Sequence, residues 1–138
     1  EHLLSVLTDV LSVEEESDGA LTVHYDGTLA SLRVVSIADG LDLISLTQVL
    51  AWNLELTPGL RDRVAEQGSA TLLGSVSLVE RPEKREKAGE NGERDAAKAA
   101  DVLLRYNFPG TGLEDEALRT LVLLVLEKGA EIRRALID

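Results

Sequence analysis

The stretch of sequence that decides the fold is residues 13–52, VEEESDGALTVHYDGTLASLRVVSIADGLDLISLTQVLAW. It contains three Asp-Gly pairs, at Asp18-Gly19, Asp26-Gly27 and Asp39-Gly40, and each pair lies between segments that are typical of strands. Asp-Gly provides the positive backbone φ angles that tight hairpin turns require. The stretch therefore predicts four consecutive antiparallel strands, at residues 13–16, 20–25, 28–38 and 42–52.

The two longest of these strands carry apolar residues on both faces. In residues 42–52, for example, Leu43 and Val49 alternate with Ile44 and Leu46. A strand that is apolar on both faces is usually covered on both faces. We expect helices to cover one face of the sheet and a partner chain to be able to cover the other.

The rest of the chain supplies three helices and two more strands. Helical periodicity of apolar residues marks residues 2–11, 58–67 and 113–136, and in the second of these Thr57 is the expected N-cap and Gly68 the expected C-cap. Alternating patterns mark strands at residues 70–79 and 101–108. The predicted fold class is α+β, with three helices and an antiparallel sheet made of the four-strand meander plus the two later strands.

A charged segment interrupts this pattern. Residues 80–98 contain no Val, Ile, Leu, Phe, Trp or Tyr, and twelve of the nineteen are charged. Such a segment cannot bury enough apolar surface to offset the entropy lost on ordering. We expect a single domain over residues 1–138, with a mobile charged loop at 80–98 inside it.

The composition bounds the possible partners and compartment. The formal net charge is −11, and residues 1–42 carry nine acidic residues against Arg33 alone. This charge repels phosphates and anionic lipids, so we expect neither nucleic acid nor a membrane as partner. The longest apolar run, residues 121–126, is far shorter than the ~20 residues that a membrane span needs. The absence of cysteine fits a reducing cytoplasm.

Catalytic and cofactor signatures are missing from the sequence. The two histidines are His2, near the start, and His24, on the polar face of a predicted strand beside Asp26. The acidic run Glu14-Glu15-Glu16 lacks calcium-loop spacing, because neighbouring strand side chains point to opposite faces. We expect a protein that is not an enzyme, with no catalytic residues, no metal and no cofactor.

The last predicted helix is apolar on every side in its middle. Leu123, Leu124 and Leu126 add to the stripe that faces the core. A helix that is apolar all round is buried all round, which predicts a second contact beyond the core, such as a homodimer interface.

Two stretches carry a family resemblance together: residues 43–50, LISLTQVL, and residues 101–113, DVLLRYNFPGTGL, with the continuation at residues 115–122, DEALRTLV. These stretches resemble the YbjN family. The order helix, strands, helix, strands, helix also resembles the class I type III secretion chaperones, such as the Tir chaperone. The resemblance implies a homodimeric, non-enzymatic α+β domain that binds an extended segment of a client protein.

The leading hypothesis is therefore a chaperone or adaptor, and the alternative is a regulatory domain that binds a small ligand or one folded partner. Exposed apolar patches mark interaction sites, and acidic charge keeps such a protein soluble. The candidate protein-binding residues are Leu43, Trp52, Leu54, Leu56, Leu123 and Leu126.

Overall fold

The described strands form one six-stranded antiparallel sheet. The structure is a computed structural model that describes residues 2–8, 10–71, 73–81 and 99–137, without the side chains of His2 and Arg81. The strands are β1 (Val13–Glu15), β2 (Leu21–Tyr25), β3 (Thr28–Ala38), β4 (Leu41–Glu55), β5 (Ser75–Arg81) and β6 (Ala99–Pro109), in the spatial order β1-β2-β3-β4-β6-β5. The helices are α1 (His2–Thr8), α2 (Pro58–Ala70) and α3 (Asp115–Ile137). The predicted α+β fold class, with six strands and three helices, is confirmed.

The three Asp-Gly pairs make the turns of the meander, as predicted. Gly19, Gly27 and Gly40 have φ angles of 93°, 84° and 75°, in the left-handed region that favours glycine. Asp26 also has a positive φ, 46°, so both central residues of the β2–β3 turn match the type I′ hairpin. These turns fix the register in which Tyr25 pairs with Thr28 and Leu32 with Leu21.

All three helices pack on one face of the sheet, and the core lies between the two layers. Every one of the nine elements contributes at least a partly buried apolar side chain to this core. On β3, β4 and β6 the core-facing residues are those with even numbers, such as Leu32, Leu46 and Leu104. Their odd-numbered neighbours form the other face, which we call the open face, because no described helix lies on it.

The contact between α3 and the sheet is closest at Gly129 and Gln48. The Gln48 side chain is fully buried in β4, and its Nε2 donates to Thr28 Oγ1 at 2.9 Å and to the Leu126 carbonyl at 3.2 Å. A Cβ built on Gly129 would overlap this amide, lying 2.5 Å from Cδ and 2.6 Å from Nε2. Only a residue without a side chain lets the helix backbone approach so closely.

Two arginines of α3 donate hydrogen bonds to backbone carbonyls of neighbouring elements. The β4 ladder to β6 shifts register between Val49 and Ala51, which leaves Leu50 as an extra residue. Its carbonyl accepts a hydrogen bond from Arg133 Nη1 at 2.8 Å. Near the other end of α3, Arg119 Nε donates to the carbonyl of Val6, in α1, at 3.3 Å. The bulge and the short helix are thus both held by side chains of α3.

The second helix is longer than predicted. Its start is as expected, because Thr57 Oγ1 accepts from the amide of Leu60 at 3.0 Å and Pro58 is the first helical residue. The prediction that Gly68 ends it was wrong, since the helix continues to Ala70 and Gly68 packs against Val76 of β5. The strand predicted to begin at residue 70 therefore begins at Ser75.

Two further boundaries differ from the prediction. The first helix ends at Thr8 rather than at residue 11. Glu80 and Arg81, placed in the charged loop, instead extend β5 by pairing with Ala100 and Ala99. The remainder of the predicted loop, residues 82–98, lies outside the described residues.

The Gly129–Gln48 contact predicts an unusual response to a Gly→Ala change. In the interior of a helix this change normally stabilises by about 1 kcal/mol. At Gly129 the added methyl meets the buried amide, and overpacking of this kind costs about 1–3 kcal/mol. We therefore expect Gly129→Ala to lower the free energy of unfolding measured by urea denaturation.

Gly68→Ala in α2 is the matched control, because a Cβ there would make an ordinary 3.7 Å contact with Val76. We expect it to leave stability unchanged or to raise it. In a Gln48→Ala background, Gly129→Ala should no longer destabilise. Equal stabilisation by both glycine substitutions in the wild-type background would contradict the close contact.

Candidate functional site

The hairpin formed by β3 and β4 extends beyond the strands on either side of it. Pairing of β2 with β3 ends at Leu32, and pairing of β6 with β4 ends at Leu43. We call residues 33–42 the arm. It is held to the body by the amide of Asp42, which donates to Thr111 Oγ1 at 2.9 Å.

Exposed apolar side chains are concentrated in the arm. Of the nine large hydrophobic residues that are exposed among those described, four lie there: Val34 (52%), Val35 (43%), Ile37 (53%) and Leu41 (38%). The register places Val34 on the helix side and Val35 on the open face, while Ile37 lies in the register shift between Ser36 and Ala38. The arm is therefore apolar on both of its faces and packed against the core on neither.

Two open clefts flank Val34 on the helix side. The larger has a volume of about 210 Å³ and lies between Leu3 of α1, the turn at Asp18-Gly19 and the start of the arm. The smaller, of about 150 Å³, lies between Leu3, Ile44 and Leu118 at the start of α3. Both are lined by Leu3 and Val34, so the Val34 side chain separates them.

The edge of β3 along the arm has backbone groups that no described strand pairs. In an antiparallel ladder, alternate residues direct their N–H and C=O groups to the same neighbour. Thr28 pairs with Tyr25 across the two-residue turn, so the even-numbered residues of β3 face β2. Beyond Leu32 the same alternation turns the N–H and C=O groups of Val34 and Ser36 towards an unoccupied edge, which we call the free edge.

The surroundings of the arm are strongly acidic. Asp39 and Asp42 lie in it, and Glu15 and Asp18 line the larger cleft beside it, against the single base Arg33. Arg33 is paired with Asp18 at 2.8 Å. The pKa of Asp18 is lowered by the backbone amide of Ala20, which donates to it, and further by Arg33. The clefts therefore keep an excess of negative charge at neutral pH.

The open face divides into apolar rows separated by polar ones. The register places Leu43 beside Val35 and Pro109 at the arm end of the sheet. Leu29, Val49 and Leu103 form a second apolar row farther along the strands. Between them lie two polar rows, formed by Ser31, Arg33, Ser45, Thr47, Arg105 and Asn107. The arm end is thus a distinct apolar surface.

The structure places the six predicted binding residues in different environments. Leu43 is half-buried at the arm end of the open face, and Trp52 is exposed beyond the β4 bulge, at the far end of the same strand. Leu54 and Leu56 are half-buried against the core. These four residues do not form one surface.

The two predicted residues of α3 differ sharply in exposure. Leu123 is half-buried, but Leu126 is fully buried in the core, so it is not part of any surface of this fold. The neighbouring Leu124 is instead 54% exposed. Within the single chain, the middle of this helix is therefore not buried on every side, and the expected second contact stays a prediction.

The sequence reasoning missed Val34, Val35, Ile37 and Leu41 as candidates. The signal that marks them is the run Val34-Val35-Ser36-Ile37, apolar on both faces and close to the Asp39-Gly40 turn. Residues next to a hairpin turn lie far from the middle of the sheet, where helices give cover. Apolar residues on both faces at that position indicate a surface that another molecule can cover.

A cluster of titratable groups joins the β2–β3 turn to α3. The hydroxyl of Tyr25 donates to Glu127 Oε1 at 2.8 Å, and Arg134 contacts both Asp26, at 2.7 Å, and Glu127, at 3.4 Å. The Tyr25–Glu127 hydrogen bond raises the pKa of Tyr25 and lowers the pKa of Glu127. Both groups thus keep their ordinary neutral-pH protonation states, which suits a structural tie rather than proton transfer.

The described residues supply no other cluster with evident chemistry. His24 is exposed on the open face. Within the four described ranges, no three His, Asp or Glu side chains are grouped closely enough to hold a metal ion. The helices in those ranges are also too short or too polar to cross a membrane.

Comparison with known proteins identifies the fold. No protein-family model and no curated protein sequence matches the chain. Among solved structures, the crystal structure of YbjN from E. coli, described there as a candidate transcription regulator, matches with a TM-score of 0.54. The match covers 96% of this chain and 86% of that one, at 16% sequence identity. The chain has the YbjN fold. The resemblance seen in residues 43–50 and 101–113 is therefore confirmed at the level of the fold.

The Tyr25–Glu127 tie predicts a pH-dependent contribution to stability. The lowered pKa of Glu127 stabilises the folded protein at pH values above 4.5, the ordinary pKa of this group. This contribution to stability is lost as the pH falls below that value. The raised pKa of Tyr25 stabilises the folded protein at pH values below 10.0, the ordinary pKa of this group. This contribution to stability is lost as the pH rises above that value. Tyr25→Phe should therefore destabilise most between these two values.

The measurement is urea denaturation of the wild type and Tyr25→Phe at acidic, neutral and strongly alkaline pH. Tyr106→Phe is the control, because the Tyr106 hydroxyl has no carboxylate partner among the described residues. A Tyr25→Phe effect of the same size at all three pH values would show that the hydrogen bond does not carry the stabilisation.

Proposed function

We propose that the chain is a non-enzymatic adaptor or chaperone of the cytoplasm that binds an extended segment of a client protein through its arm. The observation that carries this proposal is the exposure of Val34, Val35, Ile37 and Leu41 on both faces of one projecting hairpin. A monomeric protein gains nothing in stability from such exposure. A partner that covers the arm would remove this apolar surface from water, which is favourable at roughly 25 cal/mol per Å².

The alternative is a regulatory domain that binds either a small ligand or one folded protein partner. The two clefts beside the arm, of about 210 and 150 Å³, are each smaller than the ~300–1,000 Å³ that small-molecule sites usually have, so neither is typical of a small-ligand site. Regulation through one folded protein partner would use the same arm. The description of E. coli YbjN as a candidate transcription regulator favours a regulatory role in general.

Homodimer formation remains a proposal, but the residues that support it are different from those in the sequence analysis. The argument from Leu126 no longer holds, because that residue is buried within one chain. The exposed residues Leu124 and Ile137 on α3 are the surface on which a second copy would now be sought. Sedimentation of the wild type and of Leu124→Gln/Ile137→Gln over a range of concentrations tests this directly.

The client-binding proposal predicts the effect of removing apolar surface from the arm. Val35→Thr/Ile37→Thr keeps β-branched residues in the strand and replaces two exposed apolar side chains of the arm with polar ones. We expect immobilised wild type to retain one or a few proteins from a lysate of the source cells. The arm variant should lose them and keep the wild-type melting temperature. Retained proteins would then be confirmed by calorimetric titration with the purified client.

Leu124→Gln/Ile137→Gln is the matched control, since it removes two exposed apolar side chains that belong to α3 and not to the arm. The proposal is supported if the wild type and this control retain the same clients and the arm variant does not. Loss of the clients from the control but not from the arm variant would place the binding surface on α3. Retention of nothing by any of the proteins would overturn the client-binding function.

A further inference from the structure

Along the free edge of β3, no described strand pairs with the residues beyond Leu32. Pairing with β2 stops at Leu32, and β3 continues as a strand to Ala38 with no described partner on that side. Sheet edges of this kind bind extended segments by main-chain hydrogen bonds, with pockets that accept alternate side chains. The register with β4 is regular as far as Ser36, so residues 33–36 offer a regular edge roughly 13 Å long at about 3.3 Å per residue.

We infer that this edge binds an extended, basic segment of the partner, which adds to the sheet as a strand beside residues 33–36 and directs one side chain into the larger cleft. This inference rests on the proposed function and adds the site, the backbone geometry and the chemistry of the bound segment. The N–H and C=O groups of Val34 and Ser36 are the hydrogen-bonding groups that such a strand would engage.

The larger cleft lies where a side chain of the added strand would project. The new strand would occupy the line of β2 beyond Leu21, because both strands would pair with the same edge of β3. On the helix side, that line passes the turn at Asp18-Gly19. The larger cleft beside this turn is lined by the apolar residues Leu3, Leu21, Leu32 and Val34 and by the charged residues Glu15, Asp18 and Arg33. A strand side chain opposite Val34 therefore has a cavity with both apolar and charged neighbours.

Charge selects the kind of segment that fits. Four acidic residues lie in the arm or line the cleft beside it, and the one base of the arm, Arg33, is already paired with Asp18. Lysine or arginine in the added strand would meet complementary charge, which favours encounter and discriminates against acidic partners. A second copy of this chain would bring two acidic arms together. A basic partner segment is therefore the better occupant.

The test uses fluorescent peptides and two substitutions at one residue. The peptide Lys-Val-Lys-Val-Lys-Val-Lys is the probe, and Glu-Val-Glu-Val-Glu-Val-Glu is its acidic counterpart. Ser36→Pro removes the N–H that faces the free edge, and proline is tolerated at an edge strand when that N–H faces outward. Ser36→Ala keeps the N–H and removes only the hydroxyl, which donates to Asp42 Oδ1 at 2.8 Å.

We expect the full-length wild type and Ser36→Ala to bind the basic peptide equally, by fluorescence anisotropy, and the acidic peptide not at all. Ser36→Pro should bind the basic peptide about tenfold more weakly, the loss expected when edge hydrogen bonds are removed. Because the two variants carry the same charge, a purely electrostatic attachment would affect both equally and would overturn the inference. Glu15→Gln/Asp39→Asn, which leaves the strand backbone intact, should also weaken binding if Ser36→Pro does not fold.

The remaining outcomes separate this inference from the proposed function. If Ser36→Pro retains the lysate clients and the basic peptide as well as the wild type does, strand addition is wrong while client binding stands. If the wild type binds no client and no peptide, both fail. If Ser36→Pro dissociates a wild-type dimer seen by sedimentation, the edge is occupied by a second copy and the basic segment is wrong.

Discussion

The contact between Gly129 and Gln48 fixes the position of the last helix on the sheet. At this point the backbone of α3 lies directly over a buried amide in the central strand β4, and no side chain separates them. A residue with a Cβ would push the helix outward and open the core between them. The hydrogen bond from Gln48 to the Leu126 carbonyl also sets which part of the helix lies above which strand.

The position of α3 determines what the helix layer covers. With Gly129 over the middle of β4, the start of the helix reaches Leu118 beside the smaller cleft, and Arg119 holds the carbonyl of Val6 in α1. The helix layer ends there. The β3–β4 hairpin continues beyond it with apolar residues on both faces, so the arm is exposed because the packing of α3 leaves it without cover. The packing of α3 thus determines both the extent of the helix layer and the exposure of the arm.

Most of the fold was predictable from local chemistry. The three Asp-Gly pairs gave the meander, and the strand predicted at residues 28–38 has those bounds in the structure. The helix boundary at Gly68 was not predictable in this way, since glycine also occurs inside helices where a neighbouring strand packs closely, as Val76 does here. The amphipathic pattern of α3 could not show that Leu126 is buried and Leu124 exposed. Both residues are leucines beside the apolar stripe that faces the core, and tertiary packing alone decides which of them is buried. The candidate site was visible as a strand apolar on both faces, but the register that leaves its edge free was not.

The central claim is that the arm stands outside the two-layer core with one edge of β3 unpaired. Amide hydrogen exchange of the free protein, followed residue by residue by NMR, tests this most directly. The account predicts an alternation within four residues: Arg33 and Val35, which face β4 and pair with Ser45 and Leu43, exchange slowly, while Val34 and Ser36 exchange fast. Slow exchange at all four amides in the monomeric protein would show that this edge is already covered, and would contradict the account.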